Sequence, residues 1–292
     1  MISEAELNIA YKKCSDFAKT HYENFPVASL LFPKNKRKFV HSVYCFARIA
    51  DDIADSVKLK PGEKLALLDE YEKELLDSVK GNFENIKREN KSVFIALSNT
   101  IKILNIPLNE FLNLLKAFKQ DSVKNRYVEF NELLEYSTFS ANPIGHLVLI
   151  ISGFHNSDYI KLSEYSDKIC TALQLTNFWQ DVNNDLKMDR IYIPQEIMKQ
   201  HSYDENVLFS GTENQNFREL ISDLVERTKN LFSEGKPLIN ELSGKFKLEL
   251  KAIINGGTNI LDKIEKINFN VLSKRVELNF TDKFKIFVKS LI

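Results

Sequence analysis

The amino-acid sequence predicts an all-α protein, because its polarity pattern and its few chain breaks favour helices over strands. Apolar residues recur every three or four positions, as in Leu65, Leu68, Tyr71, Leu75 and Val79. Segments of strictly alternating polarity are scarce. Nine glycines and seven prolines in 292 residues leave few breaks between the periodic segments. We therefore predict a bundle of helices along the whole chain.

Breaks in the periodic pattern predict where the helices begin and end. Pro61-Gly62-Glu63 predicts a helix start, because proline at the first helical position gives up no helical hydrogen bond. The other predicted breaks are a polar stretch at 81–90, a helix start at 107–110, a loop at 153–158, an irregular segment at 189–216 and a bend or split at 235–237. The sequence shows neither internal repeats nor a flexible linker, so we expect a single domain over residues 1–292.

The composition argues against several classes of protein. Hydrophobic residues make up 43% and charged residues 27% of the chain, which is typical of a soluble globular protein. Forty basic residues balance forty acidic ones, so we expect no nucleic-acid partner. The cysteines Cys14, Cys45 and Cys170 are widely spaced, as in proteins of a reducing cytoplasm. The longest apolar stretch, 144–154, is shorter than the roughly 20 residues that span a bilayer. We expect a cytoplasmic location, with at most a transient contact with the inner membrane.

The first chemically unusual segment carries a DxxxD motif. Asp51 and Asp55 are four residues apart, so a helix places both carboxylates on one face. Arg48 lies one turn earlier, within reach of Asp51 and Asp52. A single motif of this kind is common on solvated helix faces, and alone it would indicate no more than that.

A second DxxxD motif changes this interpretation. Gln174, Asn177, Asp181 and Asp185 follow one another at steps of three or four residues and form a polar stripe on one helix. Because the stripe is flanked by apolar side chains, we expect it to be buried, where unpaired carboxylates are costly without a cation. Oxygen ligands without cysteine or histidine favour Mg²⁺, which often shares its coordination sphere with phosphates. The two motifs therefore predict a diphosphate held by Mg²⁺.

Together these segments resemble the squalene/phytoene synthase family. The likeness extends over about 21–283 and rests on YxxxRxxDDxxD, formed around Tyr44, and on QLTNFWQDVNNDLKMDRIYIP at 174–194. It implies a terpenoid synthase-like helical bundle with a central apolar cavity, and Mg²⁺-dependent ionisation of a prenyl diphosphate. The metal ligands implied are Asp51, Asp55, Asp181 and Asp185; further catalytic residues are Tyr44, Arg48 and Asn177; substrate-binding residues are His21, Gln174, Tyr192, Arg275 and Lys283. Asn142, at a kink expected from Pro143, is a further candidate, for positioning a water molecule.

The chain departs from the family pattern in three places. The family's HSKSF segment is replaced by HYENF at 21–25, which loses a serine and a lysine that contact phosphate. Gln180 stands where an arginine is usual. Thr138 or Phe139 replaces the tyrosine that precedes the family's VAGxVG stretch, which here is SANPIG.

These losses concern a second diphosphate and the cyclopropyl intermediate. With the segments ENFPVAS, SANPIG and LTNFWQDV, they resemble the bacterial hydroxysqualene synthase branch, associated with hopanoid synthesis. That likeness implies that presqualene diphosphate, made by a sister enzyme, is converted to hydroxysqualene with water as nucleophile. Two alternatives stay open. One is condensation of farnesyl diphosphate to presqualene diphosphate, squalene or dehydrosqualene; the other is a non-catalytic assembly or lipid-binding role.

Overall fold

The computed structural model describes residues 2–20, 32–155 and 158–291, and its regular elements there are helices. The all-α prediction is confirmed. The α-helices are α1 (Glu4–Thr20), α2 (Arg37–Ala54), α3 (Pro61–Lys80), α4 (Lys91–Leu104), α5 (Asn109–Asp121), α6 (Phe130–Ser140), α7 (Asn142–Ser152), α8 (Tyr159–Lys187), α9 (Gln195–Gln200), α10 (Glu205–Phe209), α11 (Gln215–Gly235), α12 (Leu238–Glu241), α13 (Gly244–Lys266) and α14 (Phe280–Leu291). A short 3-10 helix, Phe83–Asn85, lies between α3 and α4.

Most predicted breaks agree with these bounds. Helix α3 begins at Pro61, and the bend predicted at 235–237 separates α11 from α12. The expectation of an irregular segment at 189–216 is wrong in part, because α9 and α10 lie within it. Pro194 precedes α9 in an extended conformation, and the Asp204 side chain accepts a hydrogen bond from the Val207 N–H to cap α10. Such short capped helices leave little periodic signal in the sequence.

The chain divides into two compact units, and the expectation of a single domain stays a prediction. Unit 1 comprises residues 1–123 and 143–159, and unit 2 comprises 124–142 and 160–292. In unit 1 the fully buried ring of Phe46 on α2 lies 5.3 Å from Tyr71 on α3, 6.2 Å from Phe94 on α4 and 5.4 Å from Phe111 on α5. These aromatic contacts fix the buried face of α2.

In unit 2 the core forms around the long helix α8. Trp179 is fully buried, and its Nε1 donates a hydrogen bond of 2.8 Å to Thr228 Oγ1 on α11. The end of α11 approaches α8 so closely that a Cβ on Gly235 would lie 2.8 Å from the Tyr165 carbonyl oxygen. These contacts pack the apolar faces of α8 against the rest of unit 2. The polar stripe of α8 lies on a different face of the helix. No helix among the described residues has the length and apolar content needed to cross a membrane.

Candidate active site

The first DxxxD motif lies at the C-terminal end of α2. The opposite face of this helix buries Phe39, Val43, Phe46, Ala50 and Ala54, which follow helical spacing. The polar face is therefore the one that carries Arg48 and the aspartates. Asp55 follows the last helical residue, and its N–H donates to the Asp51 carbonyl at 2.8 Å.

Arg48 compensates the charge of the first motif. Its Nη1 lies 3.2 Å from Asp51 Oδ2 and its Nη2 lies 2.7 Å from Asp52 Oδ1, as the helical spacing predicts. The Arg48 Nε is buried and has no hydrogen-bond acceptor among the described residues. This arginine therefore has donor capacity beyond its two ion pairs. Tyr44, one turn earlier, is half-buried, and that burial raises the pKa of its phenol.

The polar stripe of α8 is more exposed than predicted. Asn177 is exposed, and Gln174, Asp181 and Asp185 are half-buried. The prediction of a buried stripe is wrong because the apolar neighbours, among them the fully buried Leu175, belong to the other faces of the helix. The high cost of burying a carboxylate is thus no argument for a metal here. What remains is the spacing of two accessible carboxylates.

Arg275 lies against the second motif. Its Nη2 is 3.0 Å from Asp181 Oδ2, and its Nε donates to Asp181 Oδ1. Asn184 Nδ2 also donates to Asp181 Oδ1, at 3.1 Å. Hydrogen bonding to Asp181 raises the pKa of the Arg275 guanidinium. A guanidinium thus neutralises this carboxylate.

The segment that carries Arg275 is held by a residue that departs from the family pattern. Gln180 Nε2 donates to the carbonyl oxygen of Val276, the residue after Arg275. The amide therefore positions the arginine without adding a charge. Lys283, the other expected diphosphate contact in this part of the chain, is exposed on α14 and makes no ion pair with the described residues.

An aromatic cluster lies beside the second motif. The ring of Tyr192 stacks on Phe178 at 3.7 Å and 9°, and lies 5.7 Å from Tyr127 and 6.4 Å from Tyr136. A narrow pocket in unit 2 is lined by Phe178, Asp185 and Tyr192, among others. Tyr192 reaches this position because the Ile191 N–H donates to the Asn125 carbonyl at 2.9 Å, next to Tyr127.

Sequence reasoning missed three members of this cluster, Tyr127, Tyr136 and Phe178. Tyr136 lies two residues before Thr138 and is 4% exposed. Thr138 itself is exposed, and its hydroxyl donates to the Glu135 carbonyl. Although position 138 or 139 lacks the tyrosine of the family pattern, Tyr136 places a phenol group beside Phe178 and Tyr192. A signal was present for Phe178, which lies one turn before Asp181.

The remaining candidates have different surroundings. Asn142 is buried at the start of α7, and its Oδ1 accepts a hydrogen bond of 3.1 Å from Thr171 Oγ1. The break that Pro143 predicts is the separation of α6 from α7 at Ala141. His21 and the segment 21–25 lie outside the described residues. Within those residues no group of three or more His, Cys, Asp and Glu side chains is arranged to hold a metal ion, so each motif offers its own pair of carboxylates.

Fold and site together define a helical protein of the prenyl-synthase class, with an arginine beside the first aspartate of each DxxxD motif. The family model for squalene/phytoene synthase matches residues 18–282, and the chain belongs to this family.

Named relatives agree with this assignment. The chain is 30% identical to a hydroxysqualene synthase of Rhodopseudomonas palustris over 263 residues, 89% of this chain and 85% of the relative. It is 29% identical to a hydroxysqualene synthase of Sinorhizobium fredii over 245 residues, 83% and 80% of the two chains. The crystal structure of squalene synthase HpnC from Alicyclobacillus acidocaldarius superposes with a TM-score of 0.83 at 33% identity, covering 92% of this chain and 97% of that one.

Proposed function

We propose that this chain converts presqualene diphosphate and water to hydroxysqualene and diphosphate. The observation that carries the proposal is the arginine on each motif, Arg48 at Asp51 and Arg275 at Asp181. Each motif thereby combines carboxylates for a cation with guanidinium donors for an anion. A metal-bound diphosphate needs both.

The donor set of each motif fits Mg²⁺. All four aspartates offer oxygen atoms, none is fully buried, and neither histidine nor cysteine takes part. Asp51, Asp55, Asp181 and Asp185 would hold the ions. Bound Mg²⁺ would offset the charge that develops on the leaving diphosphate.

The chain's other residues would bind and orient the substrate. Arg48, Arg275 and Lys283 would donate to the phosphate oxygens. When the carbon–oxygen bond breaks, its electron pair leaves with the diphosphate, and a carbocation remains. Aromatic faces turned toward the substrate would stabilise that cation by about 0.5–2 kcal/mol each. Gln174 and Asn177 would orient substrate or water. The attacking water would keep one proton in the product hydroxyl group and release the other to solvent.

The choice of water as nucleophile and of presqualene diphosphate as substrate is supported by the names of the two relatives and by the HYENF segment. A carboxylate at Glu23, where the family has a lysine, would repel a second diphosphate. A separate enzyme, a presqualene diphosphate synthase, would supply the substrate.

The alternative is condensation of two farnesyl diphosphates to presqualene diphosphate, squalene or dehydrosqualene. The specific observation in its favour is Tyr136, whose ring lies 6.4 Å from that of Tyr192 and retains a phenol group in the cluster. A non-catalytic role is disfavoured by the two complete DxxxD motifs.

Product analysis separates these functions. The purified chain is incubated with Mg²⁺ and either presqualene or farnesyl diphosphate, and products are identified by mass spectrometry, with Asp181→Asn as the inactive control. We expect hydroxysqualene from presqualene diphosphate and no product from farnesyl diphosphate. Squalene or dehydrosqualene from farnesyl diphosphate alone would establish the alternative, and no metal-dependent diphosphate release from either substrate would favour a binding protein.

A further inference from the structure

Helix α8 ends in a turn that hydrogen-bonds back to the second DxxxD motif. The Arg190 N–H donates to the Asp185 carbonyl at 2.9 Å, and the Asp189 N–H donates to the Leu186 carbonyl at 3.1 Å. These two hydrogen bonds form a Schellman motif, a common closure of a helix at its C-terminus. The backbone of Asp185 is therefore fixed by the residues that follow the helix as well as by the helix itself.

Asp189 occupies the position of this motif at which glycine is favoured. Its φ is +56°, in the left-handed region, which is less favourable for a residue with a side chain than for glycine. The Asp189 carboxylate makes two contacts there: its Oδ1 lies 2.6 Å from Arg126 Nη2, and its Oδ2 accepts from Asn125 Nδ2 at 3.1 Å. A glycine would close the helix equally well and make neither contact.

Arg126 is the centre of these contacts, and all five of its N–H donors are used. Its Nη1 donates to the backbone carbonyls of Asn125, at 2.9 Å, and of Asp189, at 2.5 Å. Its Nη2 donates to the carboxylates of Asp189 and Glu205, and its Nε donates to Glu205 at 2.8 Å. The guanidinium therefore connects the turn after α8 to helix α10 and to the segment before α6.

These contacts add little to the stability of unit 2, because the partner carboxylates are accessible to solvent. The side chains of Asp189 and Glu205 are 67% and 37% exposed, and ion pairs of such exposure are weak. What the contacts restrict is the orientation of the turn and, through its hydrogen bond to Asp185, that of the last turn of α8. Asp185 lines the narrow pocket together with Arg190 and Tyr192.

We infer that Arg126 and Asp189 are positioning residues, which hold the end of α8 so that the Asp185 carboxylate is oriented for Mg²⁺. The inference rests on the proposed function, because it takes Asp185 as a metal ligand. Arg126 and Asp189 would act through the backbone of Asp185 and would not bind the ion themselves. Loss of such supporting contacts typically lowers metal affinity by about 10- to 100-fold.

Calorimetric titration of the full chain with MgCl₂, in the presence of inorganic diphosphate, tests this role. We expect Arg126→Gln and Asp189→Gly each to raise the apparent Kd for Mg²⁺ at least about ten-fold. Asp189→Gly is the more informative variant, because it keeps the left-handed turn and removes only the side-chain contacts. Arg126→Lys keeps the charge but has fewer donors, so its Kd should lie between those of Arg126→Gln and the wild type. The double variant should bind no more weakly than the weaker single variant, because both changes break the same contact.

Amide hydrogen exchange, followed by mass spectrometry without metal, reports on the turn itself. Peptides that cover 185–192 should exchange at least about five-fold faster in Arg126→Gln and Asp189→Gly than in the wild type. Arg227→Gln is the matched control, because Arg227 also makes a two-point contact in unit 2, with Asp223 at 2.7 and 3.2 Å on α11. It should change neither the Kd nor the exchange of these peptides. Circular dichroism checks that each variant is folded, and Asp189→Gly decides the test if Arg126→Gln does not fold.

Three results would overturn the inference: a wild-type Kd in Asp189→Gly, faster exchange with an unchanged Kd, or an equal loss of affinity in Arg227→Gln. A wild type that binds no Mg²⁺ in the presence of diphosphate would overturn it as well. The proposed function is decided separately, by product analysis. A chain whose Mg²⁺ affinity depends on Arg126 and Asp189 but which forms no hydroxysqualene would contradict that proposal and support this one.

Discussion

Arg275 spans both carboxylate oxygens of Asp181, although the two residues are 94 positions apart in the chain. The contact fixes the segment that follows α13 against the second DxxxD motif. Arg48 makes the corresponding contact with Asp51 within a single helix. Each motif thus carries its own guanidinium, once by local spacing and once by tertiary folding.

Replacing Arg275 tests whether its paired donors matter beyond their charge. We expect Arg275→Gln to lower kcat/KM on the order of 100-fold, because it removes both the charge and the fork of donors. Arg275→Lys keeps the charge but cannot form the bidentate contact, so its kcat/KM should lie between those of Arg275→Gln and the wild type. Steady-state kinetics with presqualene diphosphate measures both. Full activity of Arg275→Gln would remove this residue from the diphosphate site.

We expect turnover to require Mg²⁺, because the candidate ligands are all carboxylate oxygens. Diphosphate release should cease in excess EDTA, return when Mg²⁺ is added, and be unaffected by a zinc-selective chelator. Turnover that continues in EDTA would contradict the metal assignment.

Asp51→Ala and Asp181→Ala should abolish turnover while leaving the fold intact. The sequence alone suggests that, without metal, these variants are at least as stable as the wild type, because repulsion between clustered carboxylates is relieved. The structure changes that expectation, since Arg48 and Arg275 already compensate these charges. Their partly exposed ion pairs contribute little, so the free energy of unfolding should change by no more than about 1 kcal/mol. Urea unfolding without metal measures this, with Asp52→Ala as a control on the same helix.

Tyr136→Phe tests whether the phenol group of Tyr136 takes part in the chemistry. If water captures the cation and no proton is removed by this phenol, hydroxysqualene formation should fall by less than about ten-fold, in line with one lost hydrogen bond. Tyr127→Phe, in the same cluster, serves as the control. A far larger loss confined to Tyr136→Phe would contradict this expectation and give the Tyr136 phenol a chemical role in the reaction.

We expect the free energy of unfolding to depend on pH because of the buried carboxyl group of Glu249. Its side chain is 5% exposed on α13, and burial raises its pKa from 4.5 to about 8. Between these values the folded state holds a proton that the unfolded state has lost, so the free energy of unfolding falls as pH rises from 4.5 to about 8. Glu249→Gln should add about 1–3 kcal/mol near pH 8 and little near pH 4.5. Urea unfolding at both pH values measures the difference; Glu226→Gln, an exposed change on α11, should show none.

The features that the sequence predicts correctly are those that depend on the spacing of residues within one helix. The Arg48 contacts and the start of α3 at Pro61 follow from helical geometry over a few residues. Contacts between distant segments do not, and neither the pairing of Arg275 with Asp181 nor the stacking of Tyr192 on Phe178 is encoded by spacing. The exposure of Asn177 was also missed, because apolar neighbours in sequence need not share a helix face.

Trp179 is an intrinsic fluorescence probe of unit 2. It is the only tryptophan in the sequence, and it lies fully buried in unit 2 with its indole N–H on Thr228. Its fluorescence therefore follows the melting of unit 2 alone, whereas far-ultraviolet circular dichroism follows the helices of both units. Coincident melting curves from the two signals would mean that the halves unfold as one cooperative body, and separated curves would resolve two independent transitions without any label.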